Sequence, residues 1–346
     1  MAQPPAFLTV PYMTTPEDYM RRALQLALCG RGRVSPNPMV GAVIVADGRI
    51  IGEGFHRHFG GPHAEPNAIA SVAEPDRPLL REATMYVTLE PCAHFGKTPP
   101  CARLIVETGI RKVVVATLDP FKEVAGRGIE IMRQGGVTVE TGLLEEEARR
   151  LNRRFFTAHT LFRPYIQLKW AQSADGCIAL PDGSPVALSS PLSRIWMHRE
   201  RADADAIMVG TDTIINDNPG LDCRLWPARD SADRPVAVLF DSPRLPRQAR
   251  VMERPHILIP SGLPLADAMH SLYTDHKITS LMVEGGAKTL QSFIDTHLAD
   301  EIRIELSPIQ LPDGIKAPRL TPEIMRLLPC RAISRCGENQ LLSFFK

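Results

Sequence analysis

The sequence predicts an α/β protein in two domains, and three observations lead there. Apolar runs that read as strands alternate with amphipathic helices through both halves, which implies sheets covered by helices. A chain of 346 residues is long for a single core. Phe162-Arg163-Pro164 breaks the periodic pattern near the middle, so the domains are placed at 1–160 and 161–346. Apolar content of 44% with 23% charged residues is ordinary for a globular chain, and a formal net charge of +1 provides no global field for nucleic acid or an anionic membrane. No window has the apolar length of a membrane span, and the N-terminal residues lack the basic start and apolar core of a secretory signal. Seven scattered cysteines, an odd number, fit a reducing compartment, and the expected location is the cytoplasm.

In the first half, Pro16 to Gly30 has helical spacing, with Tyr19, Ala23, Leu26 and Ala27 on one face, Thr14 or Thr15 as cap and Pro16 at the first position. Val40–Val45 is a short apolar strand, Asp47-Gly48 a hairpin turn and Arg49–Phe55 the return strand. Asn37, between two prolines just upstream, can shape a turn or offer its amide to a planar heterocycle. A helix opens at His63 and runs to about Ala73, strand 84–89 leads into Glu90-Pro91-Cys92, and Pro99-Pro100 starts a helix over 101–109. Strand 112–117, helix 125–135 and strand 137–140 follow. One charged helix then spans Leu144 to Thr160, with Leu144, Leu151 and Phe155 on a common face and its arginines in solvent.

The chemistry gathers in Thr88–Cys101, TLEPCAHFGKTPPC, and in His63-Ala64-Glu65 upstream. His63, Cys92 and Cys101 are the donor set that leaves a tetrahedral zinc one position open to water. A zinc of that kind generates hydroxide near neutral pH. Glu65, close to His63 and not needed as a ligand, is the candidate proton carrier. Both cysteines open elements whose backbone N–H groups favour a thiolate. The arrangement is close to the H-x-E…P-C-x-x-C signature of zinc deaminases, with eight residues between the cysteines in place of two. A closed structural site would need a fourth ligand, for which His56, His58 and His94 are available, and would leave Glu65 idle.

Beyond the break, strand 165–171 runs into QSADGCIA, a loop to Ser190, helix 191–202, strand 206–210 and Thr211-Asp212-Thr213. Strands at 235–240, 256–259 and 279–283 precede Glu284-Gly285-Gly286 and a helix over 287–297. Strand 301–306 and two more, about 331–337 and 340–345, close the chain. A strand, a glycine pair and a helix can hold a phosphate on backbone N–H groups, and the same pattern also serves as a plain tight turn. No G-x-G-x-x-G follows a strand, so the ordinary dinucleotide fingerprint is absent. Lys169 can polarise a reacting ribose end or sit at a strand edge.

With SPNPMVG, HAE, LEPCAHFGKTPPC and DPFKEVAGRGI in the first half, and LKWAQSADGCIA, VGTDTIINDNPGLDCR and LMVEGGAKTLQSFID in the second, the chain resembles the bifunctional deaminase–reductases of riboflavin biosynthesis. The resemblance implies a cytidine-deaminase-like α/β/α domain followed by a dihydrofolate-reductase-like α/β domain. It implies one zinc in the first, NADPH in the second, a diaminopyrimidinone ribose phosphate as substrate and a homodimer through the C-terminal half. Glu65 is then catalytic, and His63, Cys92 and Cys101 hold the zinc. Asn37, His94, Lys97, Lys169, Arg201, Leu221, Arg224 and Glu284 match substrate-contacting positions. Ala171, Thr213, Asp217, Ser242 and Gly286 match cofactor-contacting ones. An arginine fork suits a phosphate monoester, and a lysine beside the zinc loop meets the same charge.

The chain departs from the family pattern at several points. Ala93 stands where Ser is usual, Pro66 where Val is, and Phe121-Lys122 where Asn-Pro is. GSPVALSS, 183–190, replaces G-E-S-x-W-I-T-S, so Ala187 stands in the place of an aromatic and Pro185 in that of a polar residue. Asn218 replaces the second acid of ADDP. Two rival readings remain: a deaminase of another pyrimidine with a degenerate second half, and a zinc-stabilised binding protein without chemistry.

Overall fold

Thr15, itself extended, caps α1 (Pro16–Leu28): its hydroxyl accepts from the Asp18 N–H at 3.2 Å while the Asp18 carboxylate accepts from the Thr15 N–H at 3.3 Å. The structure, a computed structural model, describes residues 15–93, 99–121, 125–226 and 235–346. It separates into two compact units, one ending at Phe156 and one running from Thr157 to Lys346.

In the first unit, β1 (Gly41–Ala46) and β2 (Arg49–Phe55) form a hairpin whose turn residues Asp47 and Gly48 both take positive φ, as a tight two-residue turn requires. α2 (Ala64–Ala70), β3 (Thr84–Val87), α3 (Cys101–Thr108), β4 (Lys112–Val115), α4 (Arg127–Gln134) and β5 (Thr138–Thr141) follow. The sheet order is β2-β1-β3-β4-β5, with β1 antiparallel to both neighbours and β3, β4 and β5 parallel. Alternation along β1 splits the core in two. Val43 and Val45 join Tyr19, Met20 and Ala23 of α1. Ala42, Ile44 and Ala46 join Ala68, Ile105 and Met132 of α2, α3 and α4. The result is three layers, helix on sheet on helices. α1 lies so close to the sheet that a Cβ on Gly41 would come 2.0 Å from the Ala23 carbonyl oxygen.

The single helix expected from Leu144 to Thr160 is two, α5 (Glu145–Leu151) and α6 (Arg153–Leu161). Asn152 is buried between them, and its amide bonds both backbone groups of Met39, accepting from N–H and donating to C=O at 2.8 Å each. An asparagine that competes with helical hydrogen bonds in this way interrupts the ladder.

In the second unit, β6 (Tyr165–Gln172), β7 (Cys177–Ala179), α7 (Pro191–Ala202), β8 (Ala206–Met208), α8 (Thr211–Asp217), β9 (Val236–Asp241) and β10 (His256–Pro260) come first. α9 (Leu265–Thr274), β11 (Ser280–Val283), α10 (Ala287–Asp295), β12 (Glu301–Leu306), β13 (Ile315–Lys316), α11 (Pro322–Leu327), β14 (Cys330–Cys336) and β15 (Asn339–Phe345) complete it. The main sheet runs β10-β9-β8-β11-β6-β12-β15-β14. It is parallel from β10 to β12, and the C-terminal hairpin is added antiparallel. Ile166, Leu168, Val283 and Phe293 lie at the heart of its core. α9 and α11 carry no expectation from the sequence; Ala268, Met269 and Leu272 of α9 are nonetheless buried.

Asn152→Ala removes both bonds to Met39. We expect the unfolding transition of the N-terminal unit in urea to lose about 1–3 kcal/mol, with the C-terminal transition unmoved.

Candidate active sites

His63 is the N-cap of α2, in extended conformation, so its ring leaves the helix start while Glu65 sits in the first turn. Cys92 lies just beyond β3, and Cys101 is the first residue of α3. Nδ1 of His63 is 3.6 Å from the Cys92 sulfur and 3.4 Å from the Cys101 sulfur. The three donor atoms lie within 4.8 Å of one another and are the only such His, Cys, Asp and Glu cluster among the described residues. Bonds of about 2.3 Å to sulfur and 2.0 Å to nitrogen at a tetrahedral metal put those atoms about 3.6 Å apart, so the set fits zinc. The Cys92 sulfur also accepts the Cys101 N–H at 3.3 Å. Cys92 is drawn down to about 4, first by the Cys101 thiol and then by His63, so the pair holds a thiolate on Cys92.

Glu65 is buried and its carboxyl is pushed up to about 7, first by burial and then by the charge on Cys92. The two other described histidines that could have closed the shell are engaged elsewhere. His56 faces the Pro62 carbonyl oxygen with Nδ1 at 3.0 Å and the Asn37 amide with Nε2 at 3.1 Å. With Nδ1 protonated, Nε2 accepts from the Asn37 Nδ2, and burial keeps the ring below its ordinary pKa. His56 also meets the His63 ring edge-on at 5.3 Å. Exposed His58 faces the Phe59 carbonyl oxygen. His94 and Lys97 lie outside the described residues. In the sequence His56 stands out only as a spare metal ligand shortly before the HAE stretch.

Glu90 went unassigned. Its carboxylate accepts the N–H groups of Gly126 and Gly128 at 3.0 Å each, with Asp119 and Ile129 at 3.3 and 3.4 Å, and so ties the start of α4 to the Cys92 loop. Gly128 fits only as glycine, since a Cβ there would lie 2.0 Å from the Pro91 carbonyl oxygen. Phe121 is exposed, its N–H bonded to the Asp119 carboxylate.

In the second unit, a cavity of about 850 Å³ opens at the carboxyl ends of the parallel strands, the edge where ligands bind in open α/β sheets. Lys169 and Ala171 line it from β6, Thr213 and Asp217 from α8, Ser242 from the end of β9, and Glu284 and Gly286 from the β11–α10 turn. Gly286 takes φ +68°. A Cβ on Gly210 would come 2.3 Å from the Thr289 hydroxyl, and one on Gly285 would come 3.0 Å from Val209. The wall is therefore bare backbone at these positions.

Glu284 is held by the Arg201 fork at 2.8 and 2.6 Å, and Arg201 also donates to the Asp222 carbonyl oxygen at 3.0 Å. Burial alone would raise the Glu284 carboxyl, and Arg201 more than offsets it, so the group stays below the usual range. Lys169 is nine-tenths buried, lowered by burial, with Nζ 3.4 Å from the Met197 sulfur. Leu221 is buried in a separate apolar cluster, and exposed Arg224 pairs with Asp222; neither lines the cavity. Asn218, the departure from ADDP, is the left-handed C-cap of α8, a place asparagine tolerates, and its side-chain oxygen accepts the Arg250 N–H at 2.9 Å. Glu305, unassigned by sequence, accepts from Ser189 at 2.7 Å and Asn339 at 2.6 Å and so anchors the 183–190 strap beside the cavity.

Residues 13–117 match the cytidine and deoxycytidylate deaminase zinc-binding region, and 164–338 match the RibD C-terminal domain. Riboflavin biosynthesis protein RibD of Aquifex aeolicus is 40% identical over 323 residues, covering 86% of this chain and 88% of that one. The chain belongs to the RibD family. The RibD of Escherichia coli is 35% identical, covering 84% of this chain and 87% of its own. The solved RibD structure from Acinetobacter baumannii superposes with a TM-score of 0.87 at 32% identity, covering 95% of this chain and 98% of that one. A Thermotoga maritima diaminohydroxyphosphoribosylaminopyrimidine deaminase and 5-amino-6-(5-phosphoribosylamino)uracil reductase superposes at 0.85 with 37% identity, over 95% of this chain and 98% of that one.

As a RibD, the chain is a bifunctional enzyme of riboflavin biosynthesis acting on a small molecule, with a zinc-binding deaminase domain and an NADPH-dependent reductase domain. The cytidine-deaminase-like and dihydrofolate-reductase-like halves are those expected from the sequence. No helix among the described residues is long and apolar enough to cross a membrane.

The purified chain should carry one zinc per polypeptide by elemental analysis, and Cys101→Ala should lose most of it, because two donors hold zinc far more weakly than three.

Proposed function

We propose that this RibD deaminates a diaminopyrimidinone ribose phosphate at the His63–Cys92–Cys101 centre and then reduces the opened ribosyl chain to ribityl in the C-terminal cavity. When bound, zinc supplies the Lewis acidity that lowers the pKa of water, and NADPH supplies hydride. Glu65 takes the proton of the attacking water and returns protons to the ring nitrogen and the departing ammonia. The observation that carries this reading is that Glu65 is buried beside the three donors without joining their cluster. Burial raises the proton affinity of this carboxyl, the direction that proton uptake and return near neutrality require. Asn37, oriented by His56, offers its amide oxygen to the pyrimidine ring.

In the reductase cavity, Glu284 and Lys169 receive the opened ribosyl end. Arg201 acts through Glu284, keeping its carboxylate ionised and aimed. Lys169, its proton loosened by burial, supplies the proton that reduction takes up. Thr213, Asp217, Ser242, Ala171 and the Gly286 turn hold the cofactor. We further propose that the enzyme works in the cytoplasm without nucleic-acid partners, in keeping with seven free cysteines and a near-zero net charge, and as a homodimer.

Glu65→Gln keeps the shape and the zinc but should lower deamination by about two to four orders of magnitude, the usual contribution of a positioned acid–base group. Ammonia release and zinc content are measured on the same preparation. Release at the parental rate would end the assignment.

A further inference from the structure

Lys169 stands between two carboxylates. β6, which carries it, lies between β11 and β12 in the sheet. On one side Val283 pairs with Leu168, which puts Glu284, one residue on, beside Lys169. On the other side Arg303 pairs with Lys169, and Glu305 with Ala171. Residues two apart on a strand share a face, so Glu305 is a diagonal neighbour of Lys169. Ile302 and Ile304 point the other way, into the core.

Glu305 is 2% exposed and does not line the cavity. One of its oxygens accepts from the Ser189 hydroxyl at 2.7 Å. The other accepts from the Asn339 amide at 2.6 Å and from the Ser190 N–H at 3.3 Å. Asn339, at the start of β15, also donates to the Leu188 carbonyl oxygen at 2.9 Å. These donors are neutral, so they fix the carboxylate in place and leave its charge uncancelled. Burial alone would push the Glu305 carboxyl up; Ser193, Ser189, Asn339 and the Lys169 charge more than offset it, so it stays below the usual range.

The other charges on this face are matched among themselves. The Arg201 fork holds Glu284, and Arg303 lies 2.9 Å from Glu200 and 2.5 Å from Glu301. Glu284 therefore answers Arg201 as well as Lys169. A buried ammonium needs a counter-ion of its own, and Glu305 is placed to be one. Burial weakens the hold of Lys169 on its proton, Glu284 and then Glu305 strengthen it, and Arg201 opposes them.

We propose that Glu305 is a positioning residue for reduction, the buried counter-ion that holds the Lys169 ammonium at the cavity wall. The role rests on the reading of Lys169 as the proton source of the reductase centre.

Glu305→Gln keeps the shape without the charge: its oxygen still accepts from Asn339, and the Ser189 hydroxyl can turn to accept from its nitrogen. Glu305→Asp keeps the charge on a shorter arm. Both, with Lys169→Met, are made in the full-length enzyme, and NADPH-dependent reduction of the deaminated pyrimidine phosphate is followed across pH. A Lys169 that must carry its proton gives a kcat that falls as pH rises through its pKa. In Glu305→Gln that fall should move to lower pH by about one pH unit, and Glu305→Asp should return it toward the parental position. A fall that stays at the parental pH overturns the assignment, and so does activity lost equally at every pH, as a purely structural role would give. When Lys169→Met loses reduction, either of those results counts against Glu305 alone. Parental reduction by Lys169→Met overturns the reading of Lys169 and the role of Glu305 with it.

Discussion

The convergence of one imidazole and two thiols on a volume small enough for a single ion is the constraint around which the N-terminal unit is built. The donors come from three places in the chain, the start of α2, the loop after β3 and the start of α3. They meet only because β1 and β3 pair in a fixed register and α2 and α3 pack on the same face of the sheet. Glu90 adds a second tie, drawing the N–H groups at the start of α4 onto the loop that carries Cys92. The same packing buries Glu65, and burial is what raises its proton affinity. Fold and chemistry are thus joined at one point: the sheet register that aligns the donors also dries the carboxylate.

The second unit is arranged around a single cavity. Parallel strands end together, so their carboxyl-terminal turns face a common opening. Glycines at 210, 285 and 286 strip the wall to backbone. Glu284, on the cavity wall, is paired with Arg201 in a buried couple, where an unpaired charge would be costly. The Arg201 fork, expected to suit a phosphate, stands in the structure matched to the Glu284 carboxylate.

Much of this was legible in the sequence because it rests on local signals. The hairpin at Asp47-Gly48, the cap at Thr15 and the donor set of His63, Cys92 and Cys101 each depend on residues near in sequence or on fixed chemical types. Other features depend on distant partners. Asn152 divides a helix because Met39, remote in sequence, lies beside it. His56 orients Asn37 through a contact that only the folded hairpin creates. Arg201 and Glu284 are likewise far apart in the chain, so no spacing could reveal that they pair. Asn218 reads as a lost acid in the sequence and as a left-handed helix cap in the fold.

The account is tested most directly by X-ray absorption at the zinc edge of the purified enzyme, on the parent and on Glu65→Gln. It predicts two sulfurs at about 2.3 Å and two nitrogen or oxygen neighbours at about 2.0–2.1 Å, the same in both proteins. A shell with a single sulfur, or one that changes when the Glu65 carboxylate is removed, would contradict it.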